Sequence, residues 1–351
     1  MDHKLPYTFH QDAYWAAEDE EIDLFADLVV ACAEGHLSPL AAAQKITDIL
    51  ASEAWKNKAE IDLKNEDRPY SNHATLVAVL IGSCISAFPP HSVVHDRLFK
   101  MIKNLVRVER RQIPNELLDR TGKVRCENYR SLDLRPVVPL WEDLRRLSFS
   151  SSCEWLAELG GIWTGVEKCG SREQQRWRNL SYFFARLEVE GIERMGWHSP
   201  LQRLLPKYRL DEKTLGWSGY LAGQVLAAAQ WFVPEGHALW VWRTCCSCEK
   251  MLKNDFGLAA ARSLSGGAPL KNHETDQTAM EDRSGRTAED EAFINLALSE
   301  GWLWNLENWK VWKAAFKQIE ERVDDVRVHA IVRREAYKAR KIMEEMEISI
   351  S

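Results

Sequence analysis

The stretch EIDLFADLVVACA, residues 21–33, decides the fold. Its apolar residues Ile22, Phe25, Ala26, Val29, Val30 and Ala33 fall at i, i+3, i+4, i+7, i+8 and i+11, one continuous stripe on an α-helix. The same period returns in Val94, Leu98, Met101, Ile102 and Leu105, and again in Trp309, Trp312, Phe316, Ile319 and Val323. No stretch of comparable length alternates with period two. The expected class is therefore all-α, a multi-helix array of paired antiparallel helices with no significant sheet.

Capping signals divide the chain. The first helix, from about Asp12, runs out at Gly35, a residue suited to the left-handed position after a helix. Ser38-Pro39 supplies an N-cap with proline at the first helical position, and Ile46, Ile49 and Leu50 give the next stripe. A polar interval over 56–70 leads to Ser71-Asn72 and a strongly apolar helix that Pro89-Pro90 ends. The fourth helix starts at His91. Periodicity lapses from Gln112 to Val137 and resumes over 140–147 and 153–159. Ser171 followed by Gln174 has capping-box spacing and opens a long helix ending near Gly191. Ser199-Pro200 repeats the N-cap signal, further helices span about 218–232 and 236–252, and Asp324 caps the last one. The expected organisation is a single helical domain, 1–351. Within it, a four-helix unit over 12–111 and an irregular connection over 112–137 precede a helical body over 138–351, which carries a flexible loop at 261–290.

Composition narrows the function classes. With a net charge of −6, no global attraction to nucleic acid or an anionic membrane follows. The C-terminal basic residues Arg327, Arg333, Arg334, Lys338, Arg340 and Lys341 are interleaved with Asp324, Asp325, Glu335, Glu344 and Glu345, which reads as an ion-paired helix face. The longest apolar stretch, Ala74 to Phe88, is interrupted by Gly82, Ser83 and Ser86. A membrane span needs about 20 apolar residues, so this is a buried helix. The start of the chain lacks the apolar region of a secretory signal, and the cysteines are expected as reduced, mostly buried thiols in the cytosol or nucleus.

Several segments together resemble a known family. Gly35-His36-Leu37-Ser38-Pro39-Leu40-Ala41-Ala42 resembles its G-x-L-S-P-x-x-A-A helix entry. Trp177-Arg178-Asn179-Leu180 with Phe184-Ala185-Arg186-Leu187 resembles its central block, and Ala227-Ala228-Ala229-Gln230-Trp231 resembles the block that follows, with Phe232 where isoleucine is usual. Asn308-Trp309-Lys310-Val311-Trp312-Lys313 and the run from Ala336 to Met343 resemble its close. The family is a fungal, all-helical one of unknown function, the domain-of-unknown-function 3632 type. The resemblance implies an intracellular helical protein, in a context of specialised metabolism, and transfers no catalytic residue.

Four constellations could carry chemistry. Asp19-Glu20-Glu21-Ile22-Asp23 has the spacing with which all-helical class I terpene cyclases hold Mg²⁺, and Asp19 and Asp23 lie on one helix face. A second metal motif should follow, but Asn295 and Ser299 are succeeded by Leu303 where glutamate is required. Cys245 and Cys248 form a C-x-x-C inside an apparent helix, without the second half of a zinc site. His91 and His95, at i and i+4, could chelate a metal from one face, though no glutamate accompanies them. Lastly, the 15 tryptophans crowd at Trp302, Trp304, Trp309 and Trp312; such rings either fill a core or line a cavity for an apolar ligand. The leading expectation is a non-enzymatic helical protein that binds a protein partner or an apolar small molecule and needs no cofactor. The alternative is an atypical enzyme of specialised metabolism, a Mg²⁺-dependent cyclase using Asp19 and Asp23.

Overall fold

A computed structural model describes residues 3–14, 17–64, 73–107, 112–115, 137–139, 170–192, 199–208, 217–253 and 302–350. The expected loop at 261–290, the helices over 140–147 and 153–159, and Asn295 and Ser299 of the second metal motif lie outside these residues. Among the described residues there are eleven α-helices: α1 Phe9–Ala13, α2 Asp19–Glu34, α3 Pro39–Lys64, α4 Ala74–Ser86, α5 Val93–Arg107, α6 Arg172–Val189, α7 Pro200–Arg203, α8 Trp217–Ala228, α9 His237–Lys253, α10 Leu306–Glu320 and α11 Ala330–Ile350. The fold is all-α. The only strands among these residues, β1 Gln112–Pro114 and β2 Val137–Pro139, pair antiparallel at the two ends of the expected irregular connection. No described helix is long and apolar enough to cross a membrane.

The described elements fall into two compact units, α1 to α6 with the β-pair in the first and α7 to α11 in the second. In the first unit α4 is central, and α1, α2, α5 and α6 all pack on it. Its sequence explains the position. Apart from Thr75, every α4 residue is buried, which only a helix enclosed by others can satisfy. In the second unit α10 and α11 form the largest helix pair. Arg340 pairs with Glu320 while Lys313 pairs with Glu347, so the two helices run in opposite directions. The basic face of α11 is ion-paired, as expected: Arg340 and Lys341 also meet Glu344, and Lys338 meets Glu335.

Helix boundaries depart from the sequence expectation in four places. The first expected helix is two, because α1 ends at Ala13 and α2 begins at Asp19. The polar interval after residue 56 stays helical to Lys64, since Ile61 still reaches the core. The signal at Ser199-Pro200 is genuine, with Ser199 Oγ accepting the Leu201 amide at 3.0 Å, but the helix it opens lasts four residues. Asp324 does not cap the last helix, which begins at Ala330. Val323 accordingly lies beyond the end of α10, 66% exposed, while Trp309, Trp312, Phe316 and Ile319 of the same stripe are buried.

Candidate functional site

Asp19 and Asp23 stand on the exposed face of α2, with His10 of α1 between them. His10 Nδ1 lies 3.1 Å from Asp19 Oδ1, and Nε2 lies 2.9 Å from Asp23 Oδ1. Hydrogen bonds to these carboxylates, that to Asp19 first, raise the His10 pKa above the ordinary histidine value. His73, just ahead of α4, is held between Glu53 of α3 at 3.0 Å and Glu21 of α2 at 3.3 Å, and the bond to Glu53 raises its pKa too. The acidic run at the start of α2 thus holds His10 of α1 through Asp19 and Asp23, and shares His73 with Glu53 of α3 through Glu21.

His91 and His95 do not share a helix face. His91 adopts a left-handed backbone, φ 64°, two residues ahead of α5, so its ring leaves the chain in a direction α5 does not dictate. His95 lies within α5, wholly buried, and its Nε2–H donates to the Phe88 carbonyl at 3.0 Å. Burial pushes the His95 pKa down to about 4, so the ring stays neutral. The two imidazoles still meet one partner. Tyr182 of α6 packs against both, with ring centroids 4.7 and 5.2 Å away, and its hydroxyl is 3.3 Å from His91 Nδ1.

Cys245 and Cys248 lie one turn apart on α9, both fully buried, and burial holds the Cys245 thiol well above its usual pKa. Cys32 and Cys84 of the first unit are likewise buried, pushed up to about 11 and about 12. Thiols held protonated are poor nucleophiles and poor metal ligands. Among the described residues no group of three or more His, Cys, Asp or Glu side chains is disposed to hold a metal ion.

The C-terminal tryptophans converge on one another. Trp304 meets Trp231, Trp240 and Trp312 at 5.7, 5.4 and 6.0 Å, and Phe232 packs edge-on against Trp309 and Phe316. Trp304, Trp309 and Trp312 are at most 1% exposed. Two of the indole N–H groups find partners within the fold: Trp309 Nε1 donates to Glu347 at 2.8 Å and Trp312 Nε1 to the Leu201 carbonyl at 3.0 Å. These rings fill the core of the second unit. Trp302, just ahead of α10, is half-buried.

Two features escape a sequence reading. The first is a buried polar cluster around the end of α4, where Arg176 of α6 reaches Asp12 of α1, Ser86 at 2.8 Å and Ser83 at 3.3 Å. Asn179 Nδ2 adds a bond to the Ser86 carbonyl at 2.9 Å. The serines that interrupt the apolar run of α4 are the partners of this guanidinium.

The second feature is a groove. Asp48, Ala51, Ser52 and Trp55 lie at i, i+3, i+4 and i+7 along α3, and Gln112 of β1 forms the facing wall; the space between is about 380 Å³ and open to solvent. Ala51 is buried beneath it, whereas Trp55 is 48% exposed. Trp55 Nε1 donates to the Gln112 carbonyl at 2.9 Å, which fixes the indole as a ready-made platform. The available signal was a phase error. The stripe of α3 runs through Ile46, Leu50, Ala54 and Ile61, and Trp55 falls outside it, beside Ser52 and Lys56. A single exposed apolar side chain is ordinary on a protein surface; what sets Trp55 apart is that its indole N–H is tied to a second element.

A family described as "Protein of unknown function (DUF3632)" matches residues 80–316. The chain belongs to that family. Its match takes in α5, α6 and the helices that carry the tryptophan core, while α2 and α3 precede it. The family's description assigns no chemistry, so the geometry above is the basis for any functional reading. No curated protein matches the chain, and no solved structure does.

Proposed function

We propose that this protein is a non-catalytic binding protein that holds an extended segment of a protein partner in the groove between α3 and β1. The observation that carries the reading is Trp55, a fixed and half-open indole flanked by polar side chains in a recess lined by two elements. Tryptophan ranks among the residues that dominate binding energy at protein interfaces, and a platform fixed beforehand loses little entropy on docking. Other groups with chemical potential are engaged within the fold: the imidazoles of His10 and His73 lie against carboxylates, His95 is buried neutral, and Trp304, Trp309 and Trp312 build a core. The buried thiols suit a reducing compartment such as the cytosol.

Selection from a random peptide display library tests the reading. Peptides should enrich on the wild-type protein and fail to enrich on the Trp55→Ala variant, whose ring lies outside the core and whose folding is checked by circular dichroism. Enrichment that is identical on the two proteins, or absent from both, would overturn the proposal.

A further inference from the structure

Carboxylates crowd the start of α2, where Glu18, Asp19, Glu20, Glu21 and Asp23 follow one another within six residues. The positive end of a helix favours such charge, but side chains this close also repel one another. Two imidazoles from outside the helix stand among them. His10 of α1 brings both ring nitrogens within hydrogen-bond reach of a carboxylate, Nδ1 of Asp19 at 3.1 Å and Nε2 of Asp23 at 2.9 Å. His73, at the N-cap position of α4, bonds Glu53 through Nδ1 at 3.0 Å and sets Nε2 3.3 Å from Glu21. A neutral imidazole carries one N–H and one lone pair, so it can serve only one of two such carboxylates. The imidazolium, with an N–H on each side, serves both.

We propose that His10 and His73 form a two-proton latch on the first turn of α2, closed while both rings are charged and released as pH rises and they lose their protons. Each deprotonation removes a positive charge from the acidic run and turns a lone pair toward a carboxylate. Glu21 couples the latch to the helix itself, because its second oxygen accepts the Glu18 amide at 3.0 Å and closes the capping box. The surroundings of the latch are fixed by other means. Asp12 ties α1 to Arg176, and Phe25 and Val29 hold the later turns of α2 in the core, so the first turn of α2 is the part that moves. The charged groups acting on His10 are Asp19 and Asp23, and those acting on His73 are Glu53 of α3 and Glu21 of α2. Asp12, on the same helix as His10, is engaged by Arg176 and Thr8, and α4 carries no charged side chain. Both rings have raised pKa values, chiefly from the bonds to Asp19 and Glu53 respectively. The latch is therefore complete below pH 6.5 and lost as pH rises through the folded values.

Amide hydrogen exchange of the full chain, read by NMR at pH 6 and pH 9 and normalised to the intrinsic exchange rate at each pH, tests the latch. The reporter is the Ile22 amide, which donates to the Glu18 carbonyl at 3.0 Å. Its protection should fall about fivefold from pH 6 to pH 9, the combined effect of losing several weak, partly exposed ion pairs. The Val29 amide, two turns further on, should keep its protection. In the double variant His10→Gln, His73→Gln the Ile22 amide should be poorly protected at both pH values, with no difference between them. His95 is neutral across this range and adds nothing to the change. Equal Ile22 protection of wild type at the two pH values, or a pH dependence that survives in the double variant, would overturn the proposal. His10→Gln alone, at a half-exposed position, serves if the double variant does not fold. Its Ile22 amide should be less protected than that of wild type at pH 6, and equal protection there would overturn the latch as well.

Discussion

His95 and His73 are displaced from ordinary histidine behaviour in opposite directions, and their surroundings explain the signs. His95 is enclosed by Tyr182 and Phe183 and faces the positive charge of Arg186 and Arg178, so its charged form is disfavoured and its pKa falls to about 4. The unfolded chain then takes up a proton near pH 6.5 while the folded one does not. Stability is lost as pH falls from 6.5 toward 4, by about 2 kcal/mol at pH 5. His73 sits between two carboxylates, and its raised pKa contributes stability that is complete below pH 6.5 and lost as pH rises through the folded value. Urea denaturation of wild type and His95→Phe at pH 7 and pH 5 separates the two histidines. The variant should be less sensitive to acid than wild type by that margin, and equal sensitivity would mean His95 is protonated in the fold. The sequence made His95 visible only as one of a spaced pair. Nothing in that spacing indicated that one ring would be fixed outside the helix by a left-handed residue and the other sealed within it.

At the scale of elements, local signals read well where the chemistry is local. Gly35 ends α2 with φ 88°, and its amide reaches the Ala31 and Cys32 carbonyls, each at 3.1 Å. Ser171 caps α6 by accepting the Gln174 amide at 3.2 Å, and the Gln174 side chain in turn takes the Gly170 amide rather than that of Ser171. Cap signals gave starting points but not lengths, because a cap stabilises the first turn and packing decides how many follow. α7 and the extended end of α3 are the two instances. Gly35 also carries a tertiary constraint: a Cβ there would meet the Arg97 guanidinium at 2.7 Å, and that group donates to the Ala33 carbonyl at 2.8 Å. Gly35→Ala is expected to cost about 1–2 kcal/mol from the left-handed backbone, with more if Arg97 loses its bond. Thermal melts of Gly35→Ala beside Gly35→Asn check it, with asparagine the milder substitution; equal melting for alanine and wild type would contradict the strain argument.

For the molecule as a whole, the tryptophans decide whether the second unit is a packed core or a container. Trp312 touches Trp304 and Phe232 and is wholly buried. Trp312→Ala should therefore cost about 3–5 kcal/mol and remove much of the aromatic near-ultraviolet dichroism. A loss below about 1 kcal/mol would mean that the ring fronts an open cavity instead. By itself the sequence determined the all-α class, the helix-ending glycine at Gly35, the caps at Ser38 and Ser171, the buried character of α4 and the ion-paired face of α11. Those follow from period, backbone freedom and short-range hydrogen bonding, which act within a few residues of each other. Tertiary structure alone decided that Asp19 and Asp23 hold His10, that the serines of α4 serve Arg176, that Trp304, Trp309 and Trp312 close on one another, and that Trp55 opens a groove with Gln112. Each of these joins residues from separate elements, and helical period fixes which face a side chain occupies but not which element comes to lie against it.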